Sequence, residues 1–103
     1  MAERHFIETL EEEAPTVSRA FFDFADTLMK DGGLDEKTFQ LLYIALKASV
    51  GEAGAVAAHA ALAKKAGATR NELLGAVLIT MMTNGVHGVS FCLNEALASY
   101  DNA

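Results

Sequence analysis

Residues 55–74 read AVAAHAALAKKAGATRNELL, an alanine-rich segment that stops at a glycine and restarts at a threonine. Alanine loses no side-chain entropy in a helix, so the first part predicts a helix over about 55–66 that ends at Gly67. Thr69 and Glu72 have the spacing of a capping box, in which each side chain satisfies a backbone N–H group of the other residue. The segment therefore predicts two helices joined by a short turn.

The rest of the chain continues this pattern of apolar residues at helical spacing, interrupted by glycines. Further helices are predicted over residues 3–13, 15–31, 36–49, 70–84 and 86–99. Pro15 suits the first turn of one helix, and Asp35 is a good N-cap for the next. With one proline in 103 residues, the chain is predicted to be a single all-α domain over residues 1–103, a compact bundle of about six helices.

Charge and hydropathy limit the partners of the chain. Eight lysines and arginines stand against 14 aspartates and glutamates, for a formal net charge of −6. Nucleic acid is disfavoured as a partner, because binding phosphates needs clustered cations. The start MAERH is unlike a signal peptide, and the longest apolar run, residues 73–82, is about half of a membrane span. We predict a cytoplasmic protein without a membrane partner.

The second predicted helix carries a broad apolar stripe. Phe21, Ala25 and Leu28 form its centre, and Phe22 and Met29 widen it. A stripe of this width is typical of a core or of a subunit interface. A chain of 103 residues with this many apolar faces is predicted to associate with copies of itself through its helix faces.

His59 is the principal candidate for chemistry, because it shares a helical face with Val56 and Leu62 that is predicted to point inward. It is either a core histidine bonded to a backbone carbonyl or a general acid or base, since histidine titrates near neutral pH. Glu52 precedes it by seven residues, about 10 Å of helical rise, which is too far for direct contact. The glycines around Glu52 let its carboxylate fold over the helix N-terminus, or leave it as a solvated helix-start residue.

Asn84 and His87 are weaker candidates for substrate binding, because residues near a helix start either line a cleft or cap the helix. Cys92 is the only cysteine and has apolar neighbours in mid-helix, which predicts a buried and inert thiol. The three histidines lack metal-binding spacing, and there is no glycine pattern for phosphate or dinucleotide binding. We therefore predict no metal and no cofactor, and a small-molecule ligand as the external partner.

Four sequence features occur in order between residues 34 and 100. They are LDEK at 34–37, a glycine-containing break before the helix of His59, AGAT at 66–69 followed by NELL at 71–74, and NG at 84–85. In this order they resemble the carboxymuconolactone decarboxylase / alkylhydroperoxidase-D-like family. The resemblance implies an all-helical, alkylhydroperoxidase-D-like fold that assembles into homotrimers or homohexamers, with sites near the subunit contacts.

The resemblance also implies what this chain lacks. Peroxidase members carry a Cys-x-x-Cys pair ahead of the histidine and a glutamate in the preceding helix. The matching positions here are Glu52, Ala55 and Gln40, so both cysteines are absent and the acid is replaced by an amide. Because disulfide exchange needs two sulfurs within reach, an antioxidant activity of the alkylhydroperoxidase or peroxiredoxin type is disfavoured.

Three interpretations remain, and the least favoured of them is a redox protein that uses Cys92 with the thiol of a partner. Decarboxylase members resemble this chain in keeping the histidine without the cysteines. This implies that His59 exchanges a proton at the α-carbon of a small lactone or carboxylate, with Glu52 or Gln40 orienting the ring. The alternative is a family member that has lost catalysis and serves as an oligomeric binding or structural module. The sequence leaves open whether the chain is an enzyme; if it is one, a decarboxylase-type lyase is favoured over a peroxidase.

Overall fold

The structure, a computed structural model, describes residues 4–103 and confirms the all-α prediction. It contains seven helices: α1 (Phe6–Glu13), α2 (Pro15–Asp31), α3 (Glu36–Ser49), α4 (Ala53–Lys65), α5 (Arg70–Leu78), α6 (Thr80–Asn84) and α7 (His87–Asn102). No residue in this range forms a strand. Glu3, the predicted start of the first helix, lies outside the described residues. The chain divides into two compact units, the first ending at Leu34 and the second spanning Asp35–Ala103.

The second unit is built around a small core where α3, α4, α5 and α7 meet. Its fully buried side chains are short: Ile44, Ala48, Val56, Ala60, Ala63, Leu73, Val77, Cys92 and Ala96. Short side chains let helices approach closely. A Cβ built on Gly88 in α7 would overlap the backbone carbonyl of Ala48 in α3. The alanine-rich composition therefore serves close helix packing as well as helix propensity.

The predicted helix starts of the second unit are confirmed by their caps. The Asp35 carboxylate accepts a hydrogen bond from the backbone N–H of Thr38 at 2.7 Å and begins α3. Thr69 and Glu72 form the predicted capping box at the start of α5. Glu72 also accepts a hydrogen bond from Lys37 Nζ at 3.0 Å, so the cap of α5 is tied to the first turn of α3.

The single helix predicted over residues 70–84 is instead two helices, α5 and α6, that meet at Ile79. The buried hydroxyl of Thr80 donates a hydrogen bond of 2.7 Å to the carbonyl oxygen of Val77, three residues earlier. Hydroxyls that bond back to the preceding turn bend helices, and this one lies at the break. The sequence pattern alone does not show it, because the apolar spacing continues across the break.

The start of α4 also differs from the prediction. Both Gly51 and Gly54 were expected to interrupt the helix, but only Gly51 lies in the preceding turn, with a φ of +76°. Gly54 lies inside α4, which begins at Ala53 rather than at Ala55. One left-handed residue is enough to make this turn, and glycine adopts that conformation without steric cost.

The inward face of α4 is rotated from the predicted one. Its fully buried residues are Val56, Ala60 and Ala63. Leu62, predicted to lie inside, is exposed, and His59 is half-buried. Because alanine occupies nearly every side of this helix, apolar spacing does not distinguish the core face from its neighbour.

The first unit consists of α1 and α2, and its apolar stripe is not a core. Within residues 4–34 the only buried side chain is that of Ser18. The stripe residues Phe21, Phe22, Leu28 and Met29 are exposed, and only Ala25 is half-buried. Within the first unit taken by itself, the stripe therefore does not form a core. No helix within residues 4–103 has the length and hydropathy needed to cross a bilayer.

Candidate functional site

The structure brings together two of the predicted site residues, Gln40 of α3 and His59 of α4. Gln40 is almost completely buried, and its amide oxygen lies 2.7 Å from Nδ1 of the half-buried His59 ring. An amide oxygen only accepts hydrogen bonds, so in this arrangement Nδ1 carries the proton and donates it. The other ring nitrogen, Nε2, then keeps its lone pair and is the basic atom of the site.

Tyr43 and Lys47 complete this group from α3. The Tyr43 ring stacks on the His59 ring with centroids 3.8 Å apart and an angle of 24° between the planes. Lys47 Nζ lies 5.8 Å from the centroid of the Tyr43 ring. Tyr43 lies three residues and Lys47 seven residues after Gln40, so the three side chains share one face of α3. The site is thus a row of polar side chains on α3 that faces one histidine of α4.

The electrostatics of this group favour a neutral imidazole. Burial lowers the pKa of His59, and the positive charge of Lys47 lowers this pKa further. Gln40 holds the ring without supplying a negative charge that would stabilise the imidazolium. At neutral pH His59 is therefore a neutral ring with one oriented N–H and one available lone pair, which is the state a general base needs.

Of the two positions that the sequence allows for Glu52, the structure has the solvated one. Glu52 is the exposed N-cap residue of α4, and its side chain accepts no hydrogen bond from the N–H groups of that helix. The carboxylate therefore does not fold over the helix N-terminus. Of the two residues proposed to orient His59, Gln40 makes the hydrogen bond in this structure, and no bond joins Glu52 to the ring.

His87 and Asn84 lie elsewhere in the second unit. His87 is the first residue of α7 and contacts Phe91 edge-to-face, with ring centroids 5.0 Å apart. A Cβ built on Gly51 would lie 2.9 Å from His87 Nε2, so this ring packs against the turn before α4. Asn84 ends α6, and its side-chain oxygen accepts a hydrogen bond from the Thr83 hydroxyl at 2.7 Å. Neither side chain forms a hydrogen bond or a ring contact with His59.

Cys92 is buried in the core of the second unit, as predicted. Burial raises the pKa of its thiol, and the negative charges of Glu52 and Glu95 raise this pKa further. A protonated thiol is a poor nucleophile, and the sequence has no second cysteine to pair with it. The thiol therefore has the properties of a packing residue.

Sequence reasoning missed Tyr43 and Lys47. Their spacing in the sequence places both on the α3 face that carries Gln40, since Tyr43 follows it by three residues and Lys47 by seven. A tyrosine and a lysine on a helix are ordinary, so the spacing gains meaning only when His59 is known to face the same stripe. The cation near the histidine is Lys47.

Replacing the amide by a carboxylate should change the ionisation of His59. In Gln40→Glu we expect the pKa of His59 to rise by about 1–3 units, because an opposite charge at this distance stabilises the imidazolium. The measurement is an NMR titration of the imidazole resonances of the folded chain. Gln40→Leu is the matched control: it removes the acceptor without adding charge and should not raise the pKa. An unchanged pKa of His59 in Gln40→Glu would show that the contact with residue 40 does not control the ionisation of the ring.

Both the sequence and the fold of this chain are similar to those of known proteins. The carboxymuconolactone decarboxylase family model matches residues 15–98. The fold is similar to the apo crystal structure of a carboxymuconolactone decarboxylase family protein from Legionella pneumophila, with a TM-score of 0.81 and 28% sequence identity over 93% of this chain and 85% of that chain. A search of curated proteins gave no match. Since the family model extends over most of the sequence and includes both α3 and α4, the chain belongs to the carboxymuconolactone decarboxylase family.

Proposed function

We propose that this chain is an enzyme of the decarboxylase type that uses His59 to exchange a proton at the α-carbon of a small lactone or carboxylate. The observation that carries the proposal is the 2.7 Å contact between His59 Nδ1 and the buried amide oxygen of Gln40. It orients the ring and leaves Nε2 available to accept a proton. Gln40 is a positioning residue in this proposal, and His59 is the catalytic residue.

The chemistry needs a group that first accepts and then returns a proton. In proton exchange, Nε2 takes the proton from the α-carbon, the electron pair of the broken C–H bond is delocalised into the adjacent carbonyl, and the imidazolium then gives a proton back to the same carbon. In decarboxylation, the C–C bond to a carboxylate on that carbon breaks in place of the C–H bond, carbon dioxide leaves, and the bonding pair is delocalised into the same carbonyl. The imidazolium, which has taken its proton from solvent, then protonates the carbon, so the product carries hydrogen in place of the carboxylate and the ring ends neutral. Proton transfer of this kind typically contributes about 10²–10⁴-fold to the rate.

A direct test separates proton exchange from decarboxylation. The chain is incubated in deuterium oxide with a lactone that carries one carboxylate and with a lactone that carries two. We expect deuterium at the α-carbon and release of carbon dioxide from at least one of them. If no substrate in the panel exchanges a proton or loses carbon dioxide, the enzyme proposal is overturned and the alternative of a non-catalytic module is favoured.

The exposed apolar side chains support a second proposal, that the chain works as a homotrimer or homohexamer. Phe24, Leu46 and Met82 are 62%, 71% and 87% exposed. In the second unit an open apolar groove lies between α3 and α5, lined mainly by Leu41, Leu42, Ala45, Gly75, Ala76 and Ile79. Such surfaces are typical of interfaces between protein chains. Sedimentation analysis should give a species of three or six chains, whereas a single species of 11.0 kDa would contradict the proposal.

A further inference from the structure

Lys47 stands out among the lysines of the second unit. Three of them are half-buried: Lys37, Lys47 and Lys64. Lys37 Nζ pairs with Glu72 at 3.0 Å, and Lys64 Nζ donates to the backbone carbonyl of Tyr100 at 3.0 Å. Lys47 has no carboxylate or carbonyl partner within residues 4–103, and its ammonium lies over the Tyr43 ring, 5.8 Å from the centroid. Among these three lysines, Lys47 is therefore the one whose charge is not matched by an anion or a carbonyl oxygen of the described residues.

Two further polar atoms, one on the Tyr43 ring and one on the His59 ring, also have no hydrogen-bond partner within residues 4–103. The Tyr43 hydroxyl makes no hydrogen bond within residues 4–103, and His59 is bonded there only through Nδ1, which leaves Nε2 free. No buried side-chain nitrogen or oxygen in that range is without a partner, so these atoms are reached by water. An ammonium, a phenol and an imidazole nitrogen on two packed helices are therefore available to a ligand from solvent.

We propose that Lys47, assisted by the hydroxyl of Tyr43, binds the carboxylate of a small monocarboxylate substrate and holds it beside His59. A charged hydrogen bond between an ammonium and a carboxylate is among the stronger polar contacts in proteins. The inference deepens the proposed function, since it names the substrate class and a residue that selects it. The binding step is testable by itself, without turnover.

The dimensions and charges of the site restrict the ligand further. Lys47 Nζ lies 5.8 Å from the centroid of the Tyr43 ring, and the centroid of the His59 ring lies 3.8 Å from the same point. Because the ammonium and the imidazole are both close to one aromatic ring, a ligand that reaches both is only a few carbons long. Within residues 4–103, Lys47 is the one cation that lies over the Tyr43 ring, and the chain carries a net charge of −6. One cation in an acidic protein favours a monoanion over a dicarboxylate, because the second carboxylate would be repelled.

The test uses crotonate, a four-carbon monocarboxylate, and its uncharged amide as probes. Binding is followed by the NMR resonances of the His59 and Tyr43 rings in the full chain. We expect crotonate to bind the unsubstituted chain, and Lys47→Met to weaken it by about tenfold or more, since one charge-assisted hydrogen bond is lost. Methionine keeps the aliphatic stem over Tyr43, so the substitution removes the charge with little change of packing. Crotonamide should bind more weakly and respond less to the substitution.

Lys65→Met is the matched control, because Lys65 is an exposed lysine at the end of α4. It should leave crotonate binding unchanged, and Lys47→Arg should retain most of it. If crotonate fails to shift the ring resonances, or if it binds Lys47→Met and the unsubstituted chain equally, the inference is overturned.

The outcome is distinguishable from that of the proposed function. In His59→Gln, crotonate should still bind through Lys47 although proton exchange is lost. Binding that depends on Lys47 in a chain that turns over no lactone would support the binding site and overturn the enzyme proposal. Turnover that is indifferent to Lys47→Met would overturn this inference and leave the role of His59 standing.

Discussion

Gly88→Ala should destabilise the second unit by about 3 kcal/mol, the upper part of the range for overpacked cores. The added methyl group would overlap the backbone carbonyl of Ala48 and would lie 3.3 Å from the Thr80 hydroxyl oxygen. The Ala48 carbonyl accepts a hydrogen bond from the backbone N–H of Gly51 in the turn that ends α3, so it cannot rotate away as a side chain can. The only response is to move α7 away from α3, which loosens the contacts of the buried Ile44 and Cys92.

Urea unfolding followed by circular dichroism measures this change, with Gly75→Ala as the matched control. Gly75 is also a helical glycine, but a Cβ built there meets nothing within 4 Å. Because alanine is favoured over glycine in a helix, Gly75→Ala should stabilise the chain by about 0.5–1 kcal/mol. Equal effects of the two substitutions would mean that α3 and α7 do not approach as closely as described.

His59→Gln should lower the rate of proton exchange at the substrate α-carbon by about 10²–10⁴-fold, the usual contribution of a general acid or base. Glutamine is similar in size and can still bond to Gln40, but it has no group that gains and loses a proton near neutral pH. The fold should persist, because His59 is half-buried and lies beside, not within, the fully buried face of α4.

The readout is the initial rate of deuterium incorporation at saturating substrate, with unfolding followed in parallel. His5→Gln is the comparison, since His5 caps α1 in the first unit and its ring is bonded to the backbone N–H of Ile7. That variant should keep the full rate. An exchange rate in His59→Gln equal to that of the unsubstituted chain would remove the histidine from the mechanism.

The boundaries of the helices were predictable wherever a cap residue marks them. Asp35, Thr69 and Glu72 make the bonds that their spacing indicates, because capping depends on residues three positions apart. The break at Ile79 was not predictable, since it follows from the bond that the buried Thr80 hydroxyl makes to its own helix. The same spacing is compatible with an exposed threonine in an unbroken helix.

The site was predictable only in part, because it depends on contacts between two helices. His59 was singled out because it shares a helical face with Val56 and Leu62, and Gln40 entered through the resemblance to a known family. Their contact joins residues 19 positions apart on two helices, and a pattern within one helix does not reveal it. Tyr43 and Lys47 escaped notice because their meaning depends on the partner that faces them. The sequence left two positions open for Glu52, because a carboxylate at a helix start either turns back onto that helix or remains in solvent, and here it does not turn back.

The proposed chemistry depends on the state of one ring, in which His59 donates from Nδ1 to Gln40 and keeps a lone pair on Nε2. The ¹⁵N resonances of the His59 imidazole, recorded on the full chain at pH 7, report this state directly. The expected result is a neutral ring with its proton on Nδ1, and a pKa below the ordinary histidine value of about 6.5 because of burial and Lys47. An imidazolium at that pH, or a neutral ring protonated on Nε2, would contradict it.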